Sequence, residues 1–261
     1  MKKPERKRGR LVDNPWFLRA LGLAAILAVW QWYFTGGRVN PILGAPPTKV
    51  VTAVWSVITG PDYAGAVVST LELFFVGFFI SAVLGIVLGF VIARVRVLDE
   101  MFSPYLFALY ASPLPALVPI ITAVLGFTMR SKLLIVVLLG TFPVLINAQQ
   151  GAKEVDQTVL EVARSLRASK RRLWIDVILP SSVPFLVVGL RLGAARAMIG
   201  TVVAELYTSP QGLGYQITKY GMRFDMDAMF VIVLTFTAMS LILGGMLRLL
   251  ERRVAPWRIA Q

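Results

Sequence analysis

Apolar and polar positions along this chain fall into long alternating blocks. Six stretches, 17–35, 67–93, 101–126, 132–149, 183–206 and 228–249, are nearly free of charge. Each is close to the ~20 residues that a helix needs to cross a bilayer. The pattern predicts an all-α integral membrane protein with six transmembrane helices. It divides the chain into a basic start (1–16), a first transmembrane helix (17–35), an external segment (36–66), a core (67–249) containing a long loop (150–182), and a tail (250–261).

The connecting segments carry most of the charge, and unevenly. If the N-terminus is cytoplasmic, six crossings return the C-terminus to the same side. That arrangement puts 19 of the 27 Lys and Arg residues inside and 6 outside, with Arg191 and Arg196 within the fifth span. Such a bias fixes orientation by the positive-inside rule. The basic start followed by Phe17–Phe34 resembles a signal peptide. The apolar stretch is longer than a signal's apolar region, however, and no small-x-small cleavage site follows it. It therefore reads as a retained spanning helix.

Composition narrows the chemistry. Hydrophobic residues make up 57% of the 261 residues and charged residues only 16%, against about 45–50% and 25% in soluble domains. The net charge of +13 would suggest nucleic acid in a soluble protein, but the loop bias accounts for it here. The chain has no Cys and no His. Disulfides, thiol nucleophiles, the commonest metal ligand and the usual general base are thereby excluded. No G-x-x-x-x-G-K-[ST] phosphate loop occurs, so the chain has no usual means of binding ATP. No cofactor is expected.

Two connections carry structure of their own. Thr48–Ile58 in the external segment reads equally as a short interfacial helix or as an ordered loop with Trp55 at the interface. Within 150–182, Val155, Val159, Val162, Ala163 and Leu166 recur at helical spacing, with Glu154, Asp156, Gln157 and Glu161 over much of the rest. That is a short amphipathic helix. A second short turn, Arg171–Val177, ends at Leu179-Pro180, and Pro180 and Pro184 then open the fifth span. On pattern alone, two readings stand for this loop. A helix offered from a membrane can dock in a groove of a soluble partner. It can also lie on headgroups through Arg164, Arg167, Lys170, Arg171 and Arg172.

The same loop carries a resemblance. Glu161-Val162-Ala163, three residues, Arg167, nine residues and Val177-Ile178-Leu179-Pro180 resemble the EAA motif, Glu-Ala-Ala-x3-Gly-x9-Ile-x-Leu-Pro. That motif marks the permease subunits of binding-protein-dependent ABC importers. The resemblance runs from about Pro41 to Leu247. It includes Gly77-Phe78, Ser112-Pro113-Leu114-Pro115, Gly189-Leu190-Arg191, Ala204-Glu205-Leu206 and Gly212-Leu213-Gly214, which look like the nitrate/sulfonate/taurine branch. Val162 is a mild departure from the motif's Ala. Arg167 replaces a Gly that stands at the turn between two short helices. Arg in the left-handed region costs about 1 kcal/mol or more, so either the turn is redrawn or Arg167 gains an offsetting contact.

The resemblance implies a type I ABC importer permease in the cell (inner) membrane. Two copies of the chain would form the substrate pathway. Each would present its 154–176 segment, as a cytoplasmic coupling helix, to a separate ABC ATPase subunit. A soluble substrate-binding protein would deliver cargo from outside. The ATPase-coupling residues would be Glu161, Val162, Ala163, Arg167, Leu179 and Pro180. The branch implies a small anion such as a sulfonate, nitrate or organic acid, although related permeases also carry neutral pyrimidine-type precursors.

Within the membrane, ionisable and polar residues are the pathway candidates: Arg196, Glu205, Ser112 and Asn147. Arg191 and Glu205 share a face but lie about 21 Å apart, too far to pair. Arg196 either faces the pathway and attracts an anion, or ties helices together. Glu205 either closes the outer end of the pathway or braces the Gly212–Gly214 loop. Pro113, Pro115 and Pro119 kink the third span. Gly77, Gly85 and Gly89 suit close helix packing. A secondary transporter would need buried carboxylates for its coupling ion, and the spans hold few. A membrane enzyme lacks paired acids at helical spacing.

Overall fold

A computed structural model of the chain describes residues 14–36, 40–208 and 210–254. Most of the basic N-terminus and the end of the tail lie outside the described residues. Helices account for almost all of the described chain, and no strand occurs among the described residues. In order they are α1 (Pro15–Thr35), α2 (Pro47–Ile58), α3 (Tyr63–Arg94), α4 (Arg96–Ala111) and α5 (Val118–Leu125, after a 3-10 turn at Leu114–Leu117). There follow α6 (Met129–Lys153), α7 (Gln157–Ser165), α8 (Lys170–Thr208), α9 (Leu213–Met222) and α10 (Met226–Val254).

Five of these helices, α1, α3, α6, α8 and α10, are long and apolar enough to cross a membrane. The third expected span, 101–126, is not one rod: Arg96–Ala111 and Leu114–Leu125 meet at 88°. Counted as one broken span, the pair completes the six. The cause is Pro113. A residue before proline is pushed out of the α region, and Ser112 is extended at φ −74°, ψ 153°. Pro113 and Pro115 also lack the donors that would continue the ladder.

The core is the packing of α3, α6 and α8. Glycines bring the backbones close. A Cβ on Gly85 would come within 2.6 Å of Val144 Cβ, and one on Gly89 within 2.6 Å of the Leu145 carbonyl. In apolar surroundings close packing replaces hydrophobic drive between helices. By contrast, α1 buries none of its residues. It touches the remainder through Trp30 on Phe230, 5.4 Å between ring centroids, and through Gln31, which caps the start of α2 at Thr48. The stretch 48–58 is therefore a helix, opened by Pro47 at its first turn.

The loop 150–182 is mostly helix as well. α6 continues to Lys153, and α8 begins at Lys170. Only 154–156 and 166–169 separate them from α7. The second short turn merges with the fifth span because Leu173–Ile178 forms a π turn, in which Leu179 N–H donates to Trp174 O. A proline within a helix collides with the carbonyl four residues back. The wider turn just before Pro180 gives that ring room, so Pro180 does not start a new helix.

Candidate functional site

At one end of the bundle stand the end of α3, the start of α4, the end of α6, all of α7 and the start of α8. Asp156 caps α7, its carboxylate accepting from Thr158 N at 2.8 Å. One face of α7 is packed: Val155 and Leu160 bury against Ile178, with Ala152, Leu173, Trp174 and Val177 around them. Trp174 in turn meets Phe90 edge-on at 5.7 Å and the Arg94 guanidinium at 5.3 Å. The helix is thus held on α3 and α8. Its second apolar stripe is uncovered: Val159, Val162 and Leu166 are exposed, Leu166 by 78%. Glu161 and Arg167 are exposed beside it, Ala163 is half-buried, and Leu179 and Pro180 are exposed on α8.

The turn after α7 keeps its left-handed geometry. Arg167 has φ 55°, and Ala168 N–H donates to Ala163 O at 3.0 Å. This is the six-to-one bond of a Schellman cap, whose left-handed position usually holds Gly. The turn is not redrawn, and among the described residues no side chain pairs with Arg167. The local strain therefore stays in the turn.

The second group surrounds the break between α4 and α5. Ser112 caps α4 with its N–H on Ala108 O and its hydroxyl on Leu109 O. Its proton is thus committed, and it offers only lone pairs outward. Tyr110, Ser112, Pro113, Leu114, Pro115, Leu139 and Arg196 line a cavity of about 60 Å³ at the bend. Arg196 stands 5.8 Å above the Tyr110 ring. It is exposed, and among the described residues no carboxylate pairs with it. It lies 12 residues from the end of α8 at Thr208, within a helix long and apolar enough to cross a membrane, and about 18 Å along its axis from that end. An Arg there costs roughly 2.5–3.5 kcal/mol if it meets lipid. Asn147 donates to Pro143 O within α6 at 2.8 Å. It sits against α8, where a Cβ on Gly189 would come within 2.8 Å of its own.

The third group is internal. Glu205, 2% exposed, receives the Thr70 hydroxyl at 2.9 Å on both oxygens and Gly214 N–H at 2.8 Å. Thr70 Oγ1 accepts from Leu213 N at 2.9 Å. Gly212, at φ 95°, passes so close that a Cβ would strike the Glu205 carboxylate. Three helices, α3, α8 and α9, are thereby joined around one carboxylate. Nearby, Lys219 donates to Asp62 at 2.8 Å; this hydrogen bond, with the lysine's charge, holds the Asp62 carboxyl below its usual range. Thr70 escaped the sequence reading because a lone Thr in an apolar span carries no periodic signal. Trp174 escaped it because an aromatic near a membrane face reads as an anchor.

Comparison with known proteins agrees with this architecture. The family described as binding-protein-dependent transport system inner membrane component matches residues 81–256. An aliphatic sulfonates transport permease protein of Bacillus subtilis (strain 168) is 31% identical over 98% of this chain and 91% of its own. A formylaminopyrimidine transport permease protein of Halalkalibacterium halodurans is 30% identical over 74% of this chain and 77% of its own. A nitrate import permease protein of Synechocystis sp. (strain PCC 6803) is 27% identical over 97% and 96%. In fold, the chain is similar to a chain of the MetNI methionine ABC transporter. The TM-score is 0.61 at 16% identity, covering 80% of this chain and 97% of that one. With its membrane helices and most of its length so matched, the chain belongs to the family of inner membrane components of binding-protein-dependent transport systems.

Proposed function

We propose that two copies of this chain form the pathway of an ATP-driven importer and couple through residues 154–176 to two copies of a separate ATPase subunit. A soluble binding protein brings the substrate to the outer face. Both termini lie in the cytoplasm, in keeping with the Lys and Arg bias, and the 36–66 segment lies outside. The chain itself is not an enzyme; ATP hydrolysis belongs to the partner. The observation that carries this reading is the uncovered stripe Val159, Val162 and Leu166 on a helix whose opposite face is already packed. An apolar face at helical spacing, flanked by Glu161, suits a groove in a soluble protein.

The substrate is a small anion such as a sulfonate, nitrate or organic acid, with Arg196 as its attractor beside the broken span. The pair of chains would shield Arg196 from lipid while leaving it in contact with the pathway. The similarity to a formylaminopyrimidine permease supports a second reading, a neutral pyrimidine-type cargo.

Co-expression with a candidate ATPase tests the coupling. The expected result is co-purification with the native chain, and loss of the ATPase or of its stimulation with Glu161→Lys. If no ATPase ever co-purifies and the isolated chain moves solute alone, a secondary transporter replaces this reading.

A further inference from the structure

Helix α4 is loosely held. It carries no buried residue. It meets the bundle through half-buried positions only, Leu98, Asp99, Ser103, Leu106 and Tyr110. The far half of this set is apolar and ends at Tyr110, under Arg196. The near half carries Leu98 and the polar pair Asp99 and Ser103, whose hydrogen-bond partners from outside α4 are Gln149 and Lys153, in the last turn and a half of α6.

The Asp99 carboxylate collects three donors on one oxygen. Ser103 Oγ and Gln149 Nε2 each donate to Oδ1 at 2.6 Å, and Lys153 Nζ at 2.5 Å. Gln149 Nε2 also donates to Ser103 Oγ at 2.6 Å. Gln149 is 2% exposed, so the cluster is anchored in the core rather than laid over it. Lys153 is the final residue of α6, and only 154–156 separate it from α7.

Apolar stripes can slide past one another, because dispersion and burial are not directional. Charge-assisted hydrogen bonds have one geometry and resist such sliding. α4 follows α3 after the single extended residue Val95, φ −107° and ψ 103°, and runs on through Pro104; it swings at Val95 and is pushed at Asp99. Asp99 lies about 6 Å from Val95 along the axis and the bend at Ser112 about 25 Å, so a small displacement at Lys153 becomes a larger one beside the Arg196 cavity.

We propose that Asp99, Ser103, Gln149 and Lys153 are positioning residues that carry movement of α7 to α4, and so to the bend at Ser112–Pro113. This rests on the ATPase-coupled reading above. The residues touch neither ATP nor substrate; they decide whether the pathway follows the ATPase.

The chain has no cysteine, so Tyr105→Cys on the exposed face of α4 gives a single spin-label site per copy. In the full complex in lipid nanodiscs, the distance between the two labels is measured by pulsed EPR without nucleotide and with ATP plus vanadate. The native cluster is expected to give an ATP-dependent shift of the distance distribution. Asp99→Ala and Lys153→Met are expected to lose that shift while ATP hydrolysis continues. The exchanged pair, Asp99→Lys with Lys153→Asp, is expected to recover it in part. Arg96→Ala, which breaks only the exposed Arg96–Glu100 pair at 2.7 Å, is expected to leave the shift unchanged.

If Asp99→Ala and Lys153→Met both respond as the native chain does, the proposal is overturned. Should Asp99→Ala fail to assemble, Lys153→Met and Gln149→Ala decide by the same criterion. If the native complex itself shows no ATP-dependent shift, the ATPase-coupled reading fails and takes this one with it.

Discussion

Ala168 donates its backbone N–H to the carbonyl of Ala163 at 3.0 Å, closing α7 over an Arg167 held at φ 55°. An L-residue pays about 1–2 kcal/mol in that region. Glycine would remove the cost but add freedom to the unfolded chain, returning about 0.5–1 kcal/mol. Arg167→Gly is therefore expected to gain about 0.5–1 kcal/mol. Asn tolerates the left-handed region with less freedom to lose, so Arg167→Asn should gain a few tenths of a kcal/mol. Arg167→Val, β-branched, should lose about 1 kcal/mol or more. Hydrogen exchange at the Ala168 amide reads the series; a loss of that size speeds exchange about fivefold. Equal rates in the Val and Asn variants would show that the turn is not strained.

The approach of α3 to α6 makes a second, independent prediction. A methyl at Gly85 would fall 2.6 Å from Val144 Cβ, which no rotamer change relieves. Gly85→Ala is expected to cost about 1–3 kcal/mol, as overpacking does in tight cores. Val144→Ala alone leaves a void and also destabilises. Combined, the two should cost somewhat less than their sum, because Val144→Ala removes the Cγ1 that lies 2.8 Å from the new methyl, although it keeps the Cβ that the methyl still meets. Thermal unfolding of the four variants in one detergent measures the coupling; strict additivity would place the helices further apart.

Much of this architecture was legible in the sequence, and the places where it was not have physical causes. Charge-free blocks give spanning helices because lipid leaves the backbone few choices. Gly85 and Gly89 could be assigned to close packing from their spacing in α3. Pro113 was visible as a kink, but an 88° break depends on Ser112 capping α4, which pattern does not reveal. Local rules make Pro180 a helix start, because they cannot anticipate a π turn that absorbs the ring. The Asp99 cluster was hidden for another reason. Its members come from α4 and α6, about fifty residues apart, and nothing in either stretch announces the other.

Thr70 gives a third prediction. Its hydroxyl donates to Glu205 and accepts from Leu213 N at once. Thr70→Val keeps the shape and removes both bonds, leaving a buried N–H without its partner and a carboxylate short of a donor. Each orphaned group costs about 1–3 kcal/mol, more when charged. Thr70→Val is therefore expected to cost at least as much as a large core truncation. Thr70→Ser, which retains the hydroxyl, should cost about 1 kcal/mol for the lost methyl. Urea or thermal unfolding in detergent separates the two. A Val variant as stable as the Ser variant would mean that water replaces the hydroxyl.

Arg196 decides the substrate reading. It is exposed within a helix long and apolar enough to cross a membrane, where an Arg meeting lipid at the helix centre costs roughly 2.5–3.5 kcal/mol, beside a bend that Ser112 caps with its only hydroxyl proton already given away. If Arg196 attracts an anion, Arg196→Gln should lower kcat/KM for uptake of an aliphatic sulfonate at least about tenfold, which is about 1.4 kcal/mol. Arg196→Lys, which keeps the charge but loses the fork, should retain part of the rate. ATP hydrolysis by the assembled complex without substrate should be unchanged in both variants, because the guanidinium is far from α7. The measurement is uptake into proteoliposomes holding the complex and its binding protein. A different result has a definite meaning. If uptake and basal hydrolysis fall together and the complex dissociates more readily, Arg196 ties the helices or the two copies together. If sulfonate is not carried by the native complex and a formylaminopyrimidine is, the positive charge serves packing, and the cargo is neutral.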